Sequence, residues 1–253
     1  MSRSRASPRS PARANPLVVA IVGGSGAGKS WLAAHLQKIL GQKLAGTISL
    51  DEFYRDRSHL SNARRARVNF DNPAAIDWPA LESAMDRWLA GKSAAIPSYD
   101  FSTHCRRTAK RLVPAKPILF IEGLWLLRRR SIRNKFALSI FIQCSRSCRF
   151  GRRLARDRKQ RGRSVQSIQK QFQTTVEPMH AKFVEPQKKW ADVLLDGNMN
   201  RRDVQHLAEL LKRMLKGKDP SLWVPDQQHA NLTRDFFRLQ FATGEIQRPA
   251  RAT

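Results

Sequence analysis

A glycine-rich loop directly follows a strongly apolar segment near the start of the chain. The run LVVAIV (residues 17–22) is typical of a strand that is buried on both faces of a parallel sheet. The next eight residues match the pattern G-x-x-x-x-G-K-[ST], and they are Gly23, Gly24, Ser25, Gly26, Ala27, Gly28, Lys29 and Ser30. Apolar residues at helical spacing follow over residues 31–40. This order of strand, loop and helix predicts a phosphate-binding loop.

Each residue type in this loop suits phosphate binding for a chemical reason. Glycines let consecutive backbone N–H groups face phosphate oxygens without a side-chain clash, and the N-terminus of the next helix adds partial positive charge. Lys29 is placed to reach the β- and γ-phosphates, and the Ser30 hydroxyl is placed to ligate Mg²⁺. The loop therefore predicts ATP or GTP as a ligand, together with Mg²⁺.

Further apolar runs alternate with helical patterns along the chain. Strands are predicted at residues 47–50, 117–122, 137–143 and 191–195. Helices are predicted at residues 81–89, 149–160, 165–176 and 204–215, and the proline-punctuated residues 72–79 are predicted to form a loop. Buried strands that alternate with helices indicate an α/β fold with a doubly wound, mostly parallel sheet.

Two of these predicted strands end next to acidic residues. Glu122 closes the run PILFIE and faces the ligand-binding edge of the sheet, so we expect it to hold Mg²⁺ together with Ser30. Asp51, in SLDEFYRD, is the leading candidate for the base that accepts a proton from an acceptor hydroxyl. Two alternatives stay open, because the adjacent Glu52 could serve instead and an Asp at this place could simply cap a helix.

The charge of the chain narrows the range of partners. A formal net charge of +27 attracts polyanions, so nucleotide phosphates, nucleic acid and anionic membrane surfaces are all compatible with it. Arg and Lys are dense over residues 128–163, where Asp157 is the only acid, and this density predicts a phosphate clamp on a generally basic surface. No run approaches the roughly 20 apolar residues of a membrane span, so we expect no membrane insertion.

The composition divides the chain into three segments. Residues 1–15 are rich in Arg, Ser and Pro and are predicted to form a disordered basic tail. Residues 16–217 carry the alternating pattern of one domain. Residues 218–253 form an extension of unknown role, whose aromatic residues could dock on the domain or on a partner; these are Trp223, Phe236, Phe237 and Phe241.

Several longer strings resemble one enzyme family. Besides the glycine-rich loop, the strings SLDEFYRD, RVNFDNPAAIDW, IPSYDFSTHCR, ILFIEGLWLL, RRLARDRKQRGRS and QFQTTVEPMHAKFVEPQKKWADV occur in the order and spacing of uridine kinases. The chain therefore resembles the uridine kinase/phosphoribulokinase family over residues 17–192, and the resemblance implies a sheet of the P-loop NTPase kinase type with a helical basic lid. It departs from the family pattern at QCSRSCR and DGNMN, so the family's adenine contacts in the ATP site do not carry over to this chain.

The resemblance implies roles for individual residues. Asp51 matches the catalytic base, and Asp71 matches the acid that binds ribose hydroxyls. The other expected substrate contacts are Tyr54, Phe70, Tyr99, Phe101, His104, Arg153, Arg163 and Gln171. Residues 152–163 match the family's lid helix, in which Arg156 and Arg161 match phosphate contacts that act in catalysis together with Lys29. Guanidinium groups there offset the charge of the transferred phosphoryl group.

The implied activity is phosphorylation of the 5′-hydroxyl of uridine or cytidine by ATP and Mg²⁺, in pyrimidine salvage, with residues 16–217 as a P-loop nucleoside kinase domain. The resemblance also implies a homo-oligomer, specifically a tetramer, in the cytoplasm. Two alternatives remain open. One is another small-molecule kinase of the same family, similar to phosphoribulokinase or pantothenate kinase. The other is a protein that binds RNA or another polyanion through its basic tails on a kinase-like fold.

Overall fold

The computed structural model describes residues 16–218 and 237–239. The predicted tail of residues 1–15 lies outside the described residues, as do Trp223, Phe236 and Phe241 of the predicted extension. Within the described part, a six-stranded sheet has the order β2-β5-β1-β6-β7-β8. A separate antiparallel hairpin is formed by β3 and β4.

The elements have the following bounds. The strands are β1 (Leu17–Gly23), β2 (Ala45–Ser49), β3 (Ala94–Asp100), β4 (Cys105–Val113), β5 (Ile118–Gly123), β6 (Leu138–Gln143), β7 (Val193–Asp196) and β8 (Phe237–Leu239). The α-helices are α1 (Lys29–Leu40), α2 (Asn62–Ala66), α3 (Trp78–Leu89), α4 (Arg130–Arg133), α5 (Arg146–Arg161), α6 (Val165–Gln171), α7 (Glu177–Met179) and α8 (Arg201–Leu215).

The main sheet is parallel except at one edge. Strand β1 pairs in parallel with β5 and β6, β2 pairs in parallel with β5, and β6 pairs in parallel with β7, whereas β8 adds to β7 in the antiparallel direction. Alternate β1 residues enter different cores: Val18 belongs to the same buried cluster as Trp88 of α3, and Val19 to the same buried cluster as Leu36 of α1. Because both faces of the sheet are covered, its strands are apolar throughout. The predicted α/β class with a doubly wound, mostly parallel sheet is confirmed.

The hairpin of β3 and β4 has no counterpart among the predicted elements. Strand β4 reads CRRTAKRLV and is exposed along most of its length, so it lacks the apolar alternation that indicates a half-buried strand. Strand β3 contains Pro97, where the pairing register shifts between Ile96 and Ser98. Both features hide the hairpin from pattern reading, because a proline inside an apolar run argues against a strand.

The helix predicted at residues 165–176 has a different shape. Helix α6 ends at Gln171, and helical backbone then continues through π-helical turns at Phe172–Val176 and His180–Val184 and a 3₁₀ segment at Glu185–Trp190. Pro178 and Pro186 lie in this stretch. Proline cannot donate the i to i−4 hydrogen bond, which explains why regular α-helix is interrupted there.

Other boundaries shift by a few residues. Helix α3 begins at Trp78, within the stretch predicted as loop, because the Asp77 side chain caps it by accepting from the Ala80 N–H. Helices α5 and α8 begin three residues before their predicted starts. Strand β2 ends at Ser49, so Asp51 lies in the 3₁₀ turn Leu50–Phe53 that follows the strand.

Candidate active site

The glycine-rich loop connects β1 to α1 at the carboxyl edge of the sheet. Gly28 precedes the helix with a φ of 105°, a left-handed conformation that favours glycine. A Cβ at Gly26 would lie 2.4 Å from the backbone oxygen of Arg149, so the close approach of α5 also requires glycine there. The loop thus keeps its backbone clear of side chains at the start of a helix, which is the geometry of an anion site.

Lys29, Ser30 and Glu122 form one cluster beneath this loop. The Lys29 ammonium donates to the Gly24 carbonyl at 3.0 Å, and the Ser30 hydroxyl donates to Glu122 Oε1 at 3.2 Å. Burial lowers the pKa of Lys29, while the carboxylates of Glu122 and Asp51 oppose this change. The hydroxyl and carboxylate predicted to bind Mg²⁺ therefore face each other, and oxygen donors of this kind suit that ion.

Asp51 and Glu52 are adjacent in sequence but have different surroundings. Desolvation in the cleft raises the pKa of Asp51 to about 6, with Glu122 raising it further and Lys29 opposing the shift. Glu52 instead accepts two hydrogen bonds from one Arg111 nitrogen, at 2.9 Å each, on the β4 hairpin. Asp51 is therefore the acid that interacts electrostatically with Lys29 of the phosphate-binding loop and with Glu122 near the end of β5.

The five aromatic and imidazole rings predicted to line a substrate pocket do come together. Tyr54 lies edge-on to Phe70, with 5.4 Å between ring centroids, and its hydroxyl donates to the Phe70 carbonyl at 2.9 Å. The His104 ring stacks on Phe70 with centroids 4.5 Å apart, and Tyr99 contacts both Tyr54 and Phe101. Rings at these separations form a preassembled wall that suits a flat ligand.

Asp71 lies between this wall and the phosphate-binding loop. Burial raises the pKa of Asp71, whereas Arg153, Arg156 and Arg161 of the lid oppose the shift. Asp71 and Ser25 line the same small cavity, together with apolar residues such as Trp125. An acid that accepts hydrogen bonds from a sugar would therefore stand beside the loop that holds phosphate.

The predicted basic lid is formed by α5 and the residues that follow it. Arg153 donates to Ser25 Oγ at 2.9 Å and to Gln171 Oε1 at 2.9 Å, and Arg163 also donates to Gln171. Arg156 and Arg161 both pair with Asp157. The structure thus joins the lid residues named from the sequence to one another and to the phosphate-binding loop.

Three contacts near this loop were not among the predicted site residues. Asp157 is fully buried beneath the lid arginines. Arg149 is also buried and pairs with Glu177 at 2.9 Å. The His180 ring lies against Gly24, where an added Cβ would be 2.9 Å from Nδ1. The sequence does contain a feature that identifies Asp157: it is the only acid in a basic helix and lies four residues after Arg153.

Comparison with known proteins fixes the family. The family model described as Phosphoribulokinase / Uridine kinase family matches residues 18–205. The chain belongs to that family. Uridine kinase of Chloroflexus aggregans is 37% identical over 183 residues, which cover 72% of this chain and 88% of the relative. Uridine kinase of Brevibacillus brevis is 34% identical over 205 residues, which cover 81% of this chain and 96% of the relative.

Solved structures agree on the fold. Phosphoribulokinase from Rhodobacter spheroides has a TM-score of 0.55 at 16% identity, covering 72% of this chain and 70% of that one. D-glycerate 3-kinase from Cryptococcus neoformans has a TM-score of 0.52 at 17% identity, covering 72% of this chain and 86% of that one. The predicted resemblance to uridine kinases is confirmed, and so is the prediction that the chain is a kinase.

In the part of the chain that the structure describes, no helix is long and apolar enough to cross a membrane.

Proposed function

We propose that this kinase transfers the γ-phosphoryl group of ATP to the 5′-hydroxyl of uridine or cytidine, as pyrimidine salvage requires. The observation that carries the proposal is the buried carboxylate of Asp51, which interacts electrostatically with Lys29 and Glu122 and also with Asp71. In this proposal the phosphate-binding loop, the base Asp51, the sugar-binding acid Asp71 and the aromatic wall serve one cleft. The similarity to curated uridine kinases supports the same substrate class.

The roles of the residues follow from their positions. Asp51 accepts the proton of the 5′-hydroxyl as its oxygen forms a bond to the γ-phosphorus, and the bond from that phosphorus to ADP breaks. Lys29 neutralises phosphate charge, while Arg156 and Arg161 meet the charge that grows on the phosphoryl oxygens. Asp71 binds ribose hydroxyls, and Phe70 and the other rings hold the base.

A magnesium ion fits the pair formed by Ser30 and Glu122, whose oxygens lie 3.2 Å apart at the end of the phosphate-binding loop. These two residues would hold the ion, which when bound neutralises charge on the β- and γ-phosphates. ATP suits the loop as phosphate donor, and GTP would meet the same phosphate contacts because the loop reads no base.

The test is a substrate panel with the purified full chain. ADP release is measured with uridine, cytidine, ribulose 5-phosphate, pantothenate or no acceptor, and mass spectrometry identifies the product. Lys29→Ala serves as the inactive control. We expect nucleoside 5′-monophosphates and a requirement for Mg²⁺. Turnover with ribulose 5-phosphate or pantothenate but with no nucleoside would refute the nucleoside assignment while leaving the kinase assignment intact.

The resemblance to uridine kinases also supports a cytoplasmic homo-oligomer, and we propose a tetramer. Light scattering of the purified chain measures its mass directly. A mass near four times 28.9 kDa supports the tetramer, and a monomer at assay concentrations would refute it.

A further inference from the structure

The buried face of the lid helix is charged instead of apolar. Helix α5 turns Arg149, Arg153 and Asp157 inward, at positions i, i+4 and i+8 on one face. Arg153 is 5% exposed and Asp157 has no exposed surface. Charged residues are almost never buried so completely unless they are paired, so this face is held by ionic contacts.

Four guanidinium groups surround the Asp157 carboxylate. Arg156 donates from Nε to Oδ1 at 2.9 Å, and its Nη2 lies 2.9 Å from the same oxygen as an ion pair. Arg161 Nη1 is 3.7 Å from Oδ1, while Arg153 Nε and Arg163 Nη1 are 3.5 and 3.6 Å from Oδ2. The backbone carbonyl of Asp157 also accepts from the N–H groups of Gly162 and Arg163, which end the helix.

These four arginines include every lid arginine predicted to contact substrate or phosphate. Two of them, Arg156 and Arg161, are 36% and 49% exposed on their side chains, and Arg153 reaches Ser25 in the phosphate-binding loop. Four like charges this close repel one another, and the repulsion would spread flexible side chains apart. One buried carboxylate at their centre offsets that repulsion before any phosphate is bound.

We propose that Asp157 is a positioning residue, which gathers the lid arginines into the arrangement that meets the transferred phosphoryl group. Groups preorganised in this way need no rearrangement as charge develops in the transition state. The inference rests on the proposed function for its acceptor, whereas the anion that the arginines face is the nucleotide phosphate that the phosphate-binding loop binds. Asp157 itself lies beneath the arginines and touches no substrate.

The deciding variant is Asp157→Asn, which keeps the shape of the side chain but removes its charge. We expect kcat to fall about 10- to 100-fold, because the arginines no longer converge. The affinity for a non-hydrolysable ATP analogue, measured by calorimetry, should be unchanged or tighter, since the cluster then carries one more net positive charge. A carboxylate with only a structural role predicts lower activity together with weaker ATP binding, so the ATP affinity distinguishes the two roles.

Two further variants separate positioning from general damage. Asp203→Asn removes another buried carboxylate, which bonds to Asn200 at the start of α8, and it should lower the melting temperature but leave kcat unchanged. Asp157→Glu keeps the charge and should restore kcat to within about tenfold of the wild type at wild-type ATP affinity. Equal kcat losses in Asp157→Glu and Asp157→Asn would overturn the proposal.

The outcome can be told apart from a failure of the proposed function. If the wild-type chain ignores uridine, the nucleoside proposal fails, yet analogue affinity and melting temperature still compare Asp157→Asn with the wild type. Weaker analogue binding in Asp157→Asn, with Asp203→Asn unaffected, would then refute the positioning role. Near wild-type kcat in Asp157→Asn on any accepted substrate would refute it as well.

Discussion

Asp51 is the residue on which the proposed chemistry depends most directly. Its carboxylate shares the cleft with Glu122 and Lys29, whereas the neighbouring Glu52 is held by Arg111. We therefore expect Asp51→Asn to lower kcat by about 10² to 10⁴, the loss typical of a missing general base. ATP binding should persist, because the phosphate-binding loop is untouched. Glu52→Gln is the matched control and should retain most activity; the reverse pattern would make Glu52 the base.

The same carboxyl group should set the acidic limb of the pH profile. Burial raises the pKa of Asp51 to about 6, and only its ionised form can accept a proton. We expect kcat/KM for the nucleoside to rise with pH through about 6 and then to level off, because kcat/KM reports groups of the free enzyme. Steady-state rates between pH 4.5 and 8 measure this. A profile that is flat across that range would exclude Asp51 as the titrating base.

Asp71 should determine the preference for ribose. A carboxylate can accept hydrogen bonds from two neighbouring hydroxyls, and a 2′-deoxyribose offers only one of them. Loss of one such bond should lower kcat/KM by roughly 10- to 100-fold for 2′-deoxyuridine relative to uridine. In Asp71→Ala the two substrates should become nearly equal. Unchanged discrimination in that variant would show that another residue recognises the 2′-hydroxyl.

At the residue scale, a site can be predicted from the sequence when its residues are adjacent in the chain. Gly23 to Ser30 form one uninterrupted motif, so the phosphate-binding loop is readable without any tertiary information. Asp157 is different, because its place among the arginines arises only when the helix end brings Arg161 and Arg163 back toward Arg153. The sequence pattern shows that Asp157 is an unusual acid in a basic helix, but it does not indicate which residues pair with Asp157.

At the element scale, the hairpin of β3 and β4 is tied to the turn that carries Asp51. Arg106 on β4 donates to the Tyr54 carbonyl at 2.8 Å and pairs with Asp77 at 3.1 Å. Arg106→Leu should therefore raise KM for the nucleoside, since the Tyr54 side of the pocket loses its support. Charged hydrogen bonds of this kind contribute about 1.5 to 3 kcal/mol each, so the melting temperature should also fall by several degrees.

The next arginine along the strand is a matched control. Arg107 is 64% exposed and pairs with Asp100 at 3.5 Å, so Arg107→Leu removes a charge of the same sign from the same strand. Exposed ion pairs contribute little to the stability of a protein, so we expect Arg107→Leu to keep the wild-type KM and melting temperature. Equal effects of Arg106→Leu and Arg107→Leu would mean that KM and melting temperature depend on the charge of the strand and not on the contacts of Arg106 with Tyr54 and Asp77.

The hairpin also explains where element prediction fails. Strands β1, β5 and β6 are apolar throughout because both faces of the sheet are covered, and each was predicted within about one residue. Strand β4 is held by backbone pairing to β3 and by side-chain contacts such as Arg106 with Asp77, and its own pattern is mostly polar. Pattern reading detects burial, so a strand without a buried face escapes it.

At the scale of the whole molecule, the positive charge far exceeds what the cleft requires. The formal net charge is +27, whereas the phosphate site uses one lysine and a few lid arginines. Exposed basic residues are spread over β4 and α2, outside the cleft. Charge of this kind raises the encounter rate with anionic substrates and also favours nonspecific polyanion binding, both of which weaken as salt increases. Catalysis and polyanion binding should therefore respond differently to removal of basic residues.

Deletion of residues 1–15 separates the two properties. The segment carries four arginines and no acid, and every residue assigned to the site lies between Gly23 and Gln171. We expect kcat/KM for uridine to stay within about twofold of the full chain, because no site residue is removed. Elution from heparin should shift to lower salt, since four fewer cations displace fewer counterions. A full-length variant with Arg3, Arg5, Arg9 and Arg13 changed to Gln controls for length and should elute like the deletion. A tenfold loss of kcat/KM in both forms would instead place these arginines in the catalytic cycle.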